Sequence, residues 1–123
     1  MKMIGVDYGE KRVGIAVSDV EGKMAFPKTI IENSSSLAED IKNLATEVGA
    51  TQIVIGESKD FKGNDNPVMS KINKLKEALE NLGLTVTFEP EFMTSKLAER
   101  QGSANNLDAS AAALILQSYL DRK

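Results

Sequence analysis

The apolar run Met3-Ile4-Gly5-Val6 breaks at Asp7 into Tyr8-Gly9-Glu10-Lys11 and resumes as Val13-Gly14-Ile15-Ala16-Val17. Two short apolar runs joined by a glycine-containing turn pair most simply with each other, so the segment predicts an antiparallel hairpin. A second turn, Val20-Glu21-Gly22-Lys23, leaves Gly22 free to take positive φ and leads into a third strand over residues 24–31. Pro27 has no N–H to give to a ladder, so this third strand is expected at a sheet edge or at a bulge.

The pattern then changes from strands to helices. Ser36 and Glu39 have the spacing of a capping box, and Leu37, Ile41, Leu44 and Val48 recur at helical intervals before Gly49. Residues 52–56, QIVIG, read as a short buried strand. Asn66-Pro67 supplies a cap and a first-turn proline for a second helix, whose apolar stripe is predicted as Val68, Ile72, Leu75, Leu79 and Leu82 before Gly83. Residues 84–88 read as a fifth strand, residues 94–100 as a short helical piece, and residues 107–120 as a last helix with small Ala111, Ala112 and Ala113 for close packing. Tight turns give antiparallel neighbours and helical crossovers give parallel ones. The expected architecture is α/β: a mixed five-stranded sheet, three antiparallel strands followed by parallel strands, flanked by helices.

The 123 residues suffice for a single domain spanning 1–123, with no linker or internal repeat. No stretch is long and apolar enough to cross a bilayer, and no signal-peptide pattern opens the chain, so a cytoplasmic location without membrane association is expected. The absence of cysteine and histidine excludes disulfides, thiolate nucleophiles, Cys/His zinc sites and imidazole bases. Chemistry must therefore run on carboxylates, hydroxyls and lysines. With a net charge of -3, a polyanionic partner would have to be held by a local basic patch or by metal ions.

Asp7, where an apolar strand breaks into a turn, reads either as a turn-forming residue or as a site residue. Lys11 and Arg12 read as phosphate contacts or as solvated hairpin charges, and Asp108, in the first turn of the last helix, as a site residue or a helix-dipole partner. Residues 4–19, IGVDYGEKRVGIAVSD, resemble the first motif of the YqgF family, also called RuvX-like. The strand ending at Gly56, the loop with Gly63-Asn64, the segment Glu91-Phe92-Met93-Thr94-Ser95 and the closing LDASAAALILQSYLD follow in family order. The first and last of these motifs are specific and the middle ones weak.

That resemblance implies an RNase H-like fold and a metal-dependent nuclease, trimming precursor 16S ribosomal RNA or resolving Holliday junctions. It also implies Asp7, Glu91 and Asp108 as the catalytic, metal-binding acids. Carboxylate oxygens suit the hard cations Mg²⁺ or Mn²⁺, and two such ions can clamp the attacking and departing oxygens of an in-line phosphodiester displacement. The expected partner is nucleic acid, RNA ahead of branched DNA, for a monomer or weak homodimer. Lys11, Arg12, Lys59, Lys62 and Thr94 are candidate nucleic-acid contacts, and Lys71 and Lys74 could extend the basic patch.

The chain departs from the family pattern at three places. Pro90-Glu91-Phe92 replaces the usual Asp-Glu-Arg, Ser103-Ala104-Asn105-Asn106 lacks the usual basic residues, and Gly56-Glu57-Ser58 replaces Gly-Leu-Pro. The first two remove groups that would grip substrate, and the third makes Glu57 an alternative metal ligand. Competing readings are a catalytically weak nucleic-acid-binding module and, from the wider superfamily, an actin-like nucleotide-binding half.

Overall fold

The computed structural model describes residues 2–57, 67–90 and 107–122. Strands β1 (Met3–Asp7), β2 (Arg12–Ser18) and β3 (Ala25–Glu32) are followed by α1 (Leu37–Val48), β4 (Gln52–Glu57), α2 (Pro67–Asn81), β5 (Thr85–Pro90) and α3 (Leu107–Arg122). The five strands form one sheet in the order β3-β2-β1-β4-β5. β1 pairs antiparallel with β2 and parallel with β4, and β4 pairs parallel with β5, which is the mixed sheet expected from the turn and crossover pattern.

Pro27 satisfies both expectations. β3 is an edge strand, and the register with β2 slips from Ile15↔Thr29 to Ala16↔Pro27, leaving Lys28 as the extra residue of a bulge. Gly22 takes φ 72° in the turn before β3. The same turn is held by Asp19, whose Oδ1 accepts the backbone N–H groups of Lys23 at 2.8 Å and Met24 at 3.2 Å.

Those two donors hold the Asp19 carboxyl below its ordinary pKa of 3.8. Because the folded-state value is depressed, the turn's stabilisation is present above the unfolded pKa and is lost as pH falls through the folded one. In an NMR titration the Lys23 and Met24 amide shifts should move together, with a midpoint below 3.8. A midpoint at or above that value would contradict the arrangement.

Helix α1 ends as expected on Gly49 in the left-handed region (φ 78°), with the Ala50 N–H donating to the Ala45 carbonyl at 2.8 Å. Its start differs from the expected capping box. Ser36 has φ -103° and ψ 21° and makes no side-chain cap hydrogen bond. Its backbone is not in the extended conformation that aims an N-cap hydroxyl at the first turn, and its Oγ lies 3.1 Å from that of Ser34 instead. The buried face of α2 also differs: it runs through Met69, Ile72, Leu75 and Leu79, while Leu82 lies beyond the helix end and is exposed. Pro67 opens α2, whereas Asn66 and the side chain of Val68 lie outside the described residues, as does the helical piece expected over residues 94–100.

Alternation along the strands divides the core between two faces. Ile4, Val6, Ile53, Ile55 and Val86 pack with α1 and α2, while Met3, Ala16 and Val54 pack with Ala112, Ile115, Leu116 and Leu120 of α3. The result is three layers, with α3 alone among the described helices on its side. No described helix is long and apolar enough to cross a membrane.

Candidate carboxylate site

Where α3 lies is decided by polar anchors in its C-terminal half. The Gln117 side chain accepts the Ala25 N–H at 2.9 Å and donates to the Lys23 carbonyl at 2.9 Å, fixing α3 to the start of β3. The Gln52 amide donates to the Tyr119 hydroxyl at 3.0 Å, fixing it to β4. Ser118 donates to Glu89 at 2.9 Å and Arg122 forms an ion pair with the same carboxylate, fixing it to β5. Three successive residues thus tie the helix to three different strands.

Those anchors also set its direction. Ala25 pairs with Ser18, and Ser18 Oγ accepts the Met3 N–H at 2.8 Å, so Gln117 sits at the Met3 end of the sheet. Farther toward its N-terminus the helix crosses β1 at Gly5, where an added Cβ would lie 2.7 Å from Leu116 Cβ and 2.9 Å from the Ala112 carbonyl oxygen. Asp108 is four residues before Ala112, about 6 Å along a helix axis. Asp7 is two residues beyond Gly5, about 7 Å along a strand. The first turn of α3 therefore runs toward the strand end that carries Asp7.

Asp7 is half-buried at the C-terminal end of β1, paired with Gly14, and by alternation it belongs with Met3 and Gly5 on the α3 face. Glu57 ends β4 at the same end of the sheet but follows Ile53 and Ile55, which puts it in line with the opposite face. Alternation thus groups Asp7 with α3 rather than with Glu57. Asp108 is the second residue of α3, and its side chain lies outside the described residues. Glu91 follows directly on β5, and it lies outside the described residues with Lys59, Lys62 and Thr94. Lys11 and Arg12 are exposed on the β1–β2 turn and the first residue of β2, next to the strand end that carries Asp7. Among the described residues no group of three or more acids is gathered closely enough to hold a metal ion.

Glu89 is the acid that sequence reasoning passed over. Its residue is 2 % exposed, and its carboxylate is shared between Ser118 and Arg122. The available signal was an acid directly after the apolar-alternating run of residues 84–88, with a basic residue near the end of the last helix. Arg122 itself is largely exposed, so removing it leaves a buried carboxylate with the Ser118 hydroxyl but without its countercharge. Arg122→Leu should destabilise the fold by about 2 kcal/mol, and Glu89→Gln, which keeps an acceptor for both donors, by less. Urea unfolding of the two variants checks the order; equal losses would show that the charge contributes nothing.

The family model described as "RuvX: Holliday junction resolvase" matches residues 1–122. A protein of Sulfurihydrogenibium sp. named "Putative pre-16S rRNA nuclease" is 34% identical over 98% of this chain and 90% of its own length. A protein of the same name from Caldanaerobacter subterraneus subsp. tengcongensis is also 34% identical, over 98% of this chain and 96% of its own. Among solved structures, Thermus thermophilus RuvC superposes with TM-score 0.61 at 17% identity, covering 99% of this chain and 96% of that one. Fowlpox virus resolvase, solved with substrate Holliday junction DNA, superposes with TM-score 0.64 at 15% identity, covering 99% and 98%. At those identities the likeness shows the fold, which is the RNase H-like fold of the resolvases.

Proposed function

Because the chain belongs to the RuvX family, we propose that it is a metal-dependent endonuclease acting on structured nucleic acid, with 5′-end processing of precursor 16S ribosomal RNA in the cytoplasm as its task. The observation that carries this reading is the placement of Asp7 at a strand end toward which the first turn of α3, with Asp108, is directed. A half-buried carboxylate at that position, in a chain without histidine or cysteine, fits a hard cation held by oxygen alone.

In this reading Asp7, Glu91 and Asp108 hold Mg²⁺ or Mn²⁺, with Asp7 in the middle of the set. The bound pair of ions supplies activation of water and stabilisation of the leaving oxygen. The chain's own contribution is to hold the carboxylates: β1 is laddered to β4 as far as Val6 and to β2 through Asp7 itself, opposite Gly14, and the Gln117, Tyr119 and Glu89 anchors fix the helix that carries Asp108. Lys11 and Arg12, one turn from Asp7, steer the phosphodiester backbone toward it, joined by Lys59, Lys62 and Thr94. Phe92 and Asn105-Asn106 supply no countercharge to substrate phosphate, so substrate grip is expected to be weaker than metal binding.

The test is cleavage with Mn²⁺ of an RNA carrying a 16S 5′ leader, set beside a four-way DNA junction. Cleavage of the RNA at a defined position, lost on chelation, supports the proposal. Exclusive cleavage of the junction would make the protein a resolvase, and tight Mn²⁺-independent binding with no cleavage of either would make it a binding module.

A further inference from the structure

A groove of about 370 Å³ opens on the sheet face opposite α3, between the start of α1 and α2. Its lining includes Tyr8, the residue after Asp7, Ser34 and Ser35, and Lys71, Lys74 and the buried Leu75 of α2. The lining is tied to the turn after Asp7: the Asn33 side chain donates to the Gly9 carbonyl at 2.8 Å and the Asn33 N–H to the Lys11 carbonyl at 3.0 Å. The groove and the proposed site therefore share the β1–β2 turn, on either side of the sheet end.

The lining pairs an aromatic ring and apolar side chains with cations. Lys76, farther along α2, is engaged with Glu80 at 3.4 Å, whereas among the described residues neither Lys71 nor Lys74 makes an ion pair. In a chain of net charge -3, two cations one helical turn apart, neither ion-paired among the described residues, beside an apolar slot mark a place for an anion with an apolar body. A nucleotide within a strand has that make-up, its base suited to Tyr8 and Leu75 and the phosphates on its two sides to the lysines. A base within a duplex keeps its faces stacked on its neighbours and is not free to stack on Tyr8.

We infer that this groove takes one unpaired nucleotide of the substrate strand, adjacent to the phosphodiester presented at Asp7. The inference rests on the nuclease reading for the identity of the strand, and it adds that the substrate must offer an unpaired residue next to its cleavage point.

The experiment is fluorescence anisotropy in EDTA, with a single-stranded RNA, the same sequence as single-stranded DNA, and a blunt RNA duplex. Lys71→Gln/Lys74→Gln should weaken single-strand binding about tenfold and flatten the salt dependence by about 1.4 in log–log slope, two phosphate contacts, with duplex binding within about twofold. Tyr8→Leu, which keeps apolar packing, should weaken single-strand binding about fivefold at unchanged salt slope. The RNA and DNA arms report whether the sugar is read. Undetectable single-strand binding by the unaltered protein, equal losses on single strand and duplex, or no loss on single strand would each overturn the groove. Cleavage by the unaltered protein is measured separately. If it cuts RNA while the lysine variant binds single strands normally, the groove alone is wrong; if it cuts nothing while binding depends on the groove, the nuclease reading alone is wrong.

Discussion

Asp7→Asn should lower the single-turnover rate of Mn²⁺-dependent cleavage by about a thousandfold, which corresponds to about 4 kcal/mol of lost transition-state stabilisation. The substitution keeps the size of the side chain and one carbonyl oxygen, so the strand and its pairing with Gly14 are retained and the melting temperature should change by only about 2 °C. What is removed is the charge that the proposed function assigns to holding a cation at the end of β1. Mn²⁺ titration by calorimetry should show the same loss, independent of any substrate. Glu57→Gln provides the contrast, because strand alternation aligns Glu57 with Ile53 and Ile55 on the face away from α3. That variant should retain cleavage to within about threefold, and an Asp7→Asn protein that cuts at the normal rate would end the enzymatic reading.

Local chemistry made most of the architecture legible. A residue with no N–H had to lie where no N–H was needed, and Pro27 does, at an edge and beside a bulge. Gly22 and Gly49 were readable because their backbone conformations are ones that other residues avoid. Ser36 was misread because a three-residue spacing describes a capping box without describing the backbone that aims it; the hydroxyl of Ser34, two residues away, is its neighbour instead. The apolar stripe of α2 was misplaced at its C-terminal end for a similar reason. Leu82 continues the helical period, but the helix ends at Asn81 and Gly83 turns the chain with φ 91°.

The site was less legible than the fold because its geometry depends on distant partners. Nothing near Glu89 in sequence identifies Ser118 and Arg122 as the groups that hold it, since they arrive from a helix about thirty residues on. Tyr8 likewise read as part of a turn, and its place in a groove depends on α1 and α2 folding back over the sheet. The strand-end position of Asp7 was readable, because an acid closing an apolar strand is a local anomaly and the motif around it fills the whole hairpin.

Gly5→Val tests how far the site depends on the close approach of α3 to the sheet. Gly5 lies in β1 beneath the helix, where an added Cβ would sit 2.7 Å from Leu116 Cβ and 2.9 Å from the Ala112 carbonyl. The second contact is to backbone, so a rotamer change cannot relieve it, and the helix itself must lift. Lifting it loosens the packing of Ile115 and Leu116, both fully buried, and strains the anchors at Gln117, Tyr119 and Glu89. A loss of about 3 kcal/mol is expected, at the upper end of the range for an overfilled core, read as a shift in urea midpoint without a change of slope. Gly5→Ala, which adds the same Cβ without the branched methyls, should retain enough stability to be assayed folded. In that variant Mn²⁺ affinity should fall along with the cleavage rate, because the helix that carries Asp108 is displaced from the strand that carries Asp7. A Gly5→Ala protein that is destabilised yet binds Mn²⁺ normally would show that α3 contributes packing alone, and that its acid is a helix-terminal charge rather than part of the site.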